Sequence, residues 1–534
     1  MDNPPGSPSS AAISLKGIFM TDSATKSSGA TYKKAADGYF EKRSLRRSAG
    51  FWGLWGIGIA AVISGDFSGW NVGLGTTGWG AMLIGMIIIV IMYFTMIFSI
   101  GEMSAAMPHT GGAYSFSRAA MGPWGGFVTG LAETIEYVVT TAVVVWFSGV
   151  YADSALSALT GISLPGPVWW VILYVAFVAL NSLGASIGFR FALIVAVISM
   201  AVILFFAIAA IATGSVDFGR LLDIEPTEGN SPFLPFGGIG ILFALPFAIW
   251  FFLGIEELPL AAEEAHNPAR DIPKASVWGV ITLAFFGILV LVLNPAVTGT
   301  SDITVSPGLD EPLLQGFRAF LPESVAAVLA IFALIGLLAS LQGIMFAYGR
   351  NMYSLSRAGY YPKFLSLTGK KHQTPWVALV VGAIIGYLIL TVVLVVIPSI
   401  DPDAAGTASG VILFIAVFGA VISYMMQMVS FVLLRRKFPN AKRPYRSPTG
   451  VVGAVVAGLI AFAAFLGIVL NSAFLTAVIT FLIVFVVGIL LFALVGRHGL
   501  VLSPEEEYAL SGGLHGDPQS EGYDAMEKEI FDSK

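Results

Sequence analysis

The stretch GIGIAAVISGDFSGWNVGLG, Gly56 to Gly75, begins as an apolar helix and then places a carboxylate next to a glycine. Its centre reads Ser64, Gly65, Asp66, Phe67. A charged side chain in the middle of an apolar segment is costly unless the helix breaks there around water or a cation. The stretch therefore predicts a broken membrane helix and one half of a binding site.

The composition extends this interpretation to the whole chain. Apolar residues make up 56 % of the 534 residues and charged residues only 11 %, which is too apolar for a water-soluble fold. A crossing needs about 20 apolar residues. The predicted spans are 51-75, 79-104, 123-150, 167-186, 189-213, 236-258, 275-297, 324-349, 376-398, 408-434, 451-470 and 472-495. We therefore predict an all-α polytopic membrane protein, and the absence of cysteine excludes disulfides and thiolate metal sites.

The distribution of basic residues predicts the topology. An even number of spans leaves both termini on one face of the membrane, and every Lys and Arg except Arg220 and Arg318 falls on that face. We call it the basic face and the opposite one the acidic face. The positive-inside rule predicts that the basic face is cytoplasmic, in the cell membrane.

The two ends of the chain are polar. Residues 1-48 are predicted to form a disordered, basic cytoplasmic N-terminus, and residues 497-534 an acidic cytoplasmic tail that is also disordered. The run Glu505 to Glu507 lies in that tail and gives no indication of a partner.

Five acids lie within the predicted spans: Asp66 in the first, Glu133 and Glu136 in the third, Glu256 and Glu257 in the sixth. No basic residue is predicted at comparable depth. Such acids must hold a proton, bind a cation or face water. A transported cation accounts for the whole set, whereas a structural role, such as capping a broken helix, stays open for any single acid.

The sixth span contains a second predicted break. It reads GGIGILFALPFAIWFFLGIEELP, in which Pro246, Gly254 and Pro259 weaken a continuous helix. Two interrupted segments five spans apart indicate an inverted-repeat transporter whose site lies where the breaks meet. Aromatic residues such as Trp250 and Phe252 suit an ammonium ion, with a cation-π attraction of about 1–2 kcal/mol. Ordinary packing stays the alternative for any one ring.

Four blocks carry a resemblance to a known superfamily. They are IGEMSAAMPHTGGAYSFSRAAMGPWGGFVTG from Ile100, GIEELPLAAEEAHNPARDIPKA from Gly254, YGRNMYSLSRAGYYPKFL from Tyr348 and LLRRKFPNAKRPYRSPTG from Leu433. In order and spacing they resemble the amino acid-polyamine-organocation superfamily. The resemblance implies twelve helices and alternating access around the first and sixth spans. Its LeuT-like core comprises two inverted five-helix repeats, 49-213 and 236-434, followed by two additional helices, 451-496.

Within that superfamily, the stretch Tyr39 to Asn71 and the paired Glu256 and Glu257 most resemble the ethanolamine permeases. Amino acid carriers of the superfamily usually have an apolar residue where Asp66 stands, and free backbone donors there hold the substrate carboxylate. A carboxylate at this position repels an amino acid and attracts an amine. The resemblance therefore implies a secondary transporter that imports a small primary amine, most closely ethanolamine. An amino acid permease is the alternative.

This hypothesis assigns roles to individual residues. The ammonium group faces the five acids, the hydroxyl meets polar groups, and Trp250 and Phe252 close over the substrate. Away from the substrate, Glu102 and Arg118 form either a pair that holds the cytoplasmic side closed or a solvated surface pair. The predicted substrate-binding residues are Ser64, Gly65, Asp66, Phe67, Glu133, Glu136, Trp250, Phe252, Glu256, Glu257, Tyr348 and Gln427.

The coupling mechanism stays open at this stage. Proton-coupled relatives often carry a lysine in the fifth span, where this chain has Ser199. Coupling by a proton on Glu136 or Glu257, uniport and exchange are all compatible with the sequence. The five histidines lie outside the spans without metal-ligand spacing, so we expect no enzyme activity, metal, cofactor or nucleic-acid partner. The sequence does not indicate an oligomeric state.

Overall fold

The computed structural model describes residues 24–27, 29–33, 39–305, 309–401 and 408–510, and within them helices dominate. The helices are α1 Phe51–Val62, α2 Leu74–Thr77, α3 Trp79–Ala106, α4 Gly112–Thr160, α5 Gly166–Ser182, α6 Ala185–Ala212, α7 Ile239–Ile249, α8 Pro268–Thr298, α9 Pro312–Arg318, α10 Glu323–Arg357, α11 Trp376–Thr391, α12 Ile397–Ile400, α13 Ala408–Lys437, α14 Gly450–Val469, α15 Leu475–Leu494 and α16 Pro504–Leu510.

The predicted helical membrane architecture is confirmed. Within the described residues, nine helices are long and apolar enough to cross a membrane, and α1 with α2 forms a further span that bends by 40°. The shorter apolar helices α5 and α7 occupy the positions of the predicted fourth and sixth spans. Large apolar side chains are exposed along α6, α11 and α15, as expected for surfaces that contact lipid.

The third span begins where the sequence predicts it, at residue 123. Gly122 has a φ of +82°, which lies outside the helical region, and Pro123 begins the helix that follows it. The range α4 therefore comprises two helices that meet at a kink at Gly122. The residues before the bend are buried beside the basic face and do not form a solvated loop.

Both predicted breaks are present. The first span changes from α1 to a 3-10 turn at Ile63–Asp66, and the sixth changes from α7 to a 3-10 helix at Ile255–Glu264. Gly69 and Gly254 have φ values of +96° and +112°, which only glycine adopts without strain. The local sequence therefore determines where each helix is interrupted.

The termini are more ordered than the sequence predicted. Strands β1 Ala24–Ser27 and β2 Ala30–Lys33 are antiparallel, and β2 pairs in parallel with β3 Leu500–Val501. The short helix α16 follows β3 and is mostly buried. The expectation of disorder is therefore wrong for these parts of 1-48 and 497-534, while residues 1–23 and 511–534 lie outside the described part of the chain.

Candidate functional site

The first break is supported by a neighbouring helix. The Ser64 amide donates a hydrogen bond to Ser340 Oγ of α10 at 2.9 Å, and this hydroxyl donates in turn to the Ala60 carbonyl at 2.7 Å. The amides of Phe67 and Ser68 both donate to the Ser64 carbonyl, at 2.9 and 3.0 Å. These contacts satisfy backbone groups that an interrupted helix leaves exposed inside the membrane.

The two breaks touch each other through Trp250. A Cβ atom built on Gly65 would lie 2.5 Å from the Trp250 carbonyl oxygen. The Trp250 indole donates to the Ser68 carbonyl at 2.9 Å, and its ring lies against Gly69. The absence of side chains at Gly65 and Gly69 therefore allows the tryptophan to close over the first break.

The first break is also closed toward the acidic face. Tyr151 of α4 donates to the Phe67 carbonyl at 3.0 Å, and Ser68 Oγ donates to the Asp310 carbonyl at 3.0 Å. The Phe67 ring packs on α10, where a Cβ on Gly336 would lie 2.6 Å from it. The break is thus joined to α4, to α10 and to the loop between α8 and α9.

Asp66 is a buried acid without a basic partner. Its exposed fraction is 1 %, and neither carboxylate oxygen has a hydrogen-bond partner among the described residues. No charged side chain in that part of the chain interacts with it. A carboxyl group in such surroundings is stable only when it holds a proton or a cation.

Four buried glutamates form a second acidic group, which we call the glutamate cluster. Glu133 and Glu136 project from α4, and Glu256 and Glu257 from the 3-10 helix after the second break. Glu136 lies against Glu256, and Glu256 also interacts with Glu133 and Glu257. No electrostatic interaction joins Asp66 to this cluster. The structure therefore divides the five acids into two groups, whereas our hypothesis assumed a single one.

Polar side chains and a backbone amide contact the glutamate cluster. Both carboxylate oxygens of Glu256 accept from the Gly254 amide at 3.1 Å. Glu133 accepts from Ser423 Oγ at 3.3 Å, and Gln427 donates to the same hydroxyl at 3.1 Å. Gln427 is thus connected to the cluster through Ser423. In the described residues, no group of three or more acids or histidines is arranged to hold a metal ion.

Two tyrosines that the sequence analysis missed line the cluster. The hydroxyl oxygens of Tyr93 and Tyr424 lie 2.9 Å apart, and the Phe252 ring lies 5.0 Å from the Tyr93 ring. The Tyr424 hydroxyl also interacts with Glu256. Their position in the middle of predicted spans could have indicated a polar site, because a buried tyrosine hydroxyl needs a polar partner.

Tyr348 does not lie at either break. Its hydroxyl donates to the Leu379 carbonyl of α11 at 2.7 Å, and its ring packs against Gly382. The structure therefore corrects its assignment to the substrate site, because the side chain joins α10 to α11. Ser199 Oγ likewise bonds within its own helix, to the Val195 carbonyl at 2.6 Å.

The predicted pairing of Glu102 with Arg118 is also wrong. Glu102 accepts two hydrogen bonds from Arg435, at 2.9 and 2.6 Å, and lies 3.3 Å from Arg443. Arg118 instead donates to Glu506 at 2.6 Å. Each of the two residues is paired with a segment far away in the sequence.

Comparison with solved structures supports the fold. A mutant form of the manganese transporter of Eremococcus coleocola aligns with a TM-score of 0.54 at 14 % identity, over 86 % of this chain and 98 % of the other. At this identity the likeness shows the fold alone, which is the LeuT-like inverted-repeat transporter fold.

Comparison with known sequences identifies the family. The branched-chain amino acid permease BcaP of Bacillus subtilis (strain 168) is 28 % identical over 85 % of this chain and 94 % of its own. The methylthioribose transporter of the same strain is 24 % identical over 78 % of this chain and 88 % of its own. A family model described as amino acid permease matches residues 53–497. The protein therefore belongs to the amino acid permease family, within the amino acid-polyamine-organocation superfamily of membrane transporters.

Proposed function

We propose that the protein imports ethanolamine, a small primary amine, across the cytoplasmic membrane by alternating access, with both termini in the cytoplasm. The observation that carries this proposal is Asp66, a buried acid without a base at the break where amino acid carriers of the superfamily bind a carboxylate. In a desolvated site this carboxylate attracts an ammonium group and repels a second carboxylate.

The backbone around the breaks also favours an amine substrate that lacks a carboxylate. The Ser64 amide is occupied by Ser340, and the Gly254 amide is occupied by the Glu256 carboxylate. Two backbone donors at the breaks are therefore already used by side chains of this chain. An amine that lacks a carboxylate has no need of them.

The proposed binding mode follows from these contacts. The ammonium group pairs with Asp66, the substrate hydroxyl bonds to Ser64 or to backbone carbonyls at the breaks, and Trp250 covers both. The glutamate cluster lies apart from Asp66, so we assign it to proton coupling and not to the substrate. Glu136 and Glu256 lie against each other, and two such carboxyl groups are compatible only when they share a proton or a cation.

An amino acid permease is the second candidate. It is favoured by the relative named as a branched-chain amino acid permease, which matches this chain along most of its length. Another relative is named as a methylthioribose transporter, so membership of the family is compatible with more than one class of substrate.

The test is uptake of labelled ethanolamine into proteoliposomes, with serine, alanine and leucine as competitors. We expect uptake that these amino acids do not inhibit. Asp66→Asn removes the partner of a desolvated ammonium ion, worth about 2–3 kcal/mol, and should weaken binding roughly 30- to 150-fold. Asp302→Asn makes the same chemical change at an exposed position on the acidic face and should leave uptake unchanged.

Two other outcomes would count against the proposal. Competition by leucine or alanine, together with an unaffected Asp66→Asn variant, would make Asp66 a structural residue and favour the amino acid permease. Loss of uptake in both the Asp66 and the Asp302 variants would indicate that the effect is not specific to the first break.

A further inference from the structure

The C-terminal helix α16 fills a recess on the basic face. Glu506 has no exposed surface and accepts four hydrogen bonds. Its Oε2 accepts from Arg118 and Tyr32, each at 2.6 Å, and its Oε1 accepts from Tyr114 at 2.8 Å and Tyr360 at 2.9 Å. The donors belong to α4, to β2 and to the segment after α10, so three separate parts of the chain converge on one carboxylate.

The neighbouring Glu505 extends this contact. Its Oε1 accepts from Ser354 Oγ at 2.8 Å and from Arg357 at 2.6 Å, both on α10. Arg357 also donates two hydrogen bonds to Glu263, at 2.9 and 2.6 Å, and Glu263 accepts from the Thr110 amide at 3.0 Å. Through Arg357, α16 is therefore connected to the 3-10 helix of the second broken span.

These partners are the parts of the fold that must separate when the basic face opens. Alternating access moves the broken spans against the helices that surround them. α4 and α10 surround the breaks, while Glu263 belongs to a broken span. A segment bonded to both sides holds them together, so opening requires that these bonds be lost.

The chemistry of the recess specifies its occupant. Arg118 and Arg357 are buried, and an unpaired buried guanidinium is strongly unfavourable. Three phenols and a guanidinium that donate to the two oxygens of one carboxylate complement an anion rather than an apolar group. The recess is thus suited to an acidic peptide segment, and the chain supplies one in Glu505 and Glu506.

We propose that this recess is a receptor site for an acidic segment, occupied by the chain's own α16, and that α16 must leave before the basic face opens. The strand β3, paired with β2 directly before α16, keeps the segment close when it is released. The proposal concerns the gate and holds for whichever substrate the protein carries.

The test uses a single reporter cysteine, because the natural chain has no cysteine to interfere. Ser354→Cys places a thiol beneath α16, where the side chain is fully buried. Labelling by a polar maleimide is measured in detergent or nanodiscs, without substrate. Truncation after Ser503 removes α16 and should accelerate labelling about tenfold or more, since reactivity follows local opening. Truncation after Leu510 is the matched control and should leave the rate unchanged.

Two further measurements keep the proposal testable. If truncation after Ser503 does not give monodisperse protein, the full-length double variant Glu505→Gln and Glu506→Gln replaces it. Its Ser354→Cys reporter should be labelled at the accelerated rate that is expected for the truncated protein. A synthetic peptide of residues 503–510, added to the truncated protein, should slow labelling again, whereas a peptide with both glutamines should not. Equal labelling rates with and without α16 would overturn the proposal. Because no substrate is present, this result is independent of the ethanolamine assignment.

Discussion

The buried acids near the breaks and those on the basic face have different partners. Near the breaks, the carboxyl group of Glu133 interacts with hydroxyl groups and with Glu256, and that of Glu136 interacts with other acids. That of Asp66 has no hydrogen-bonding or charged partner among the described residues. On the basic face, Glu264 and Glu506 are each paired with a buried arginine. The same residue type at the same burial thus serves two purposes. Acids with arginines hold helices together, whereas acids without them are available to a proton or a transported cation.

Glu257 lies between the two regions. It belongs to the glutamate cluster and interacts with Glu256, but it is also close enough to Arg350 to interact with it. Arg350 is fully buried and pairs with Glu264. The sequence predicts no basic residue at the depth of the acids, but Arg350 lies close enough to Glu257 to interact with it.

The largest effect that this comparison predicts is on Arg350. Its guanidinium donates to both oxygens of Glu264, at 3.1 and 2.9 Å, and both residues are buried. Arg350→Met leaves an unpaired buried carboxylate and should lower the free energy of unfolding by about 3–5 kcal/mol. Thermal unfolding of the purified protein in detergent measures the change.

The double variant Arg350→Met and Glu264→Leu serves as the control. It removes both charges, so most of the lost stability should return. A single variant as stable as the natural protein would show that arginine pairing on the basic face contributes nothing, and the contrast between the two regions would disappear.

The contact between the breaks predicts the next effect. Gly65→Ala places a methyl group 2.5 Å from the Trp250 carbonyl, a backbone atom that cannot rotate away. Overpacking of this kind should cost about 1–3 kcal/mol and slow transport. Gly53→Ala is the matched control in the same span, because its methyl group meets Phe189 at an ordinary 3.5 Å. Equal stability and transport in the two variants would mean that the breaks separate freely.

Neutralising an acid that has no arginine partner should not lower the free energy of unfolding, in contrast to leaving Glu264 without its arginine. Glu136→Gln removes a buried carboxyl group that has only acidic charged neighbours, so the free energy of unfolding should change by less than about 1 kcal/mol or rise. Uptake driven by a proton gradient should nevertheless be lost, while exchange of substrate across the membrane continues. Uptake assays with and without a pH gradient, beside thermal unfolding, separate the two effects. A strongly destabilised variant would place Glu136 among the structural acids.

Local features of this fold were predictable from the sequence, and long-range partners were not. The breaks at Asp66 and Gly254 follow from a charge, glycines and prolines within a few residues. The partner of Arg118 lies 388 residues away, in a helix of seven residues that is too short to show a periodic pattern. Tyr348 lies in the correct span, but the rotation of α10 about its axis turns its hydroxyl toward α11. Such rotations depend on the packing of all neighbouring helices.

The smallest expected effect is that of pH on the α16 contact. Burial alone would raise the pKa of Glu505, but the nearby charges of Arg357 and His109 and the hydrogen bond from Arg357 lower it from 4.5 to about 2. A lowered pKa stabilises the folded contact above about pH 4.5, and this stabilisation is lost only as the pH falls toward 2. Labelling of the Ser354→Cys reporter should therefore stay equally slow, after correction for maleimide reactivity, from about pH 8 down to about pH 5.5. Faster labelling within that range would mean that acidification releases α16 through a group other than Glu505.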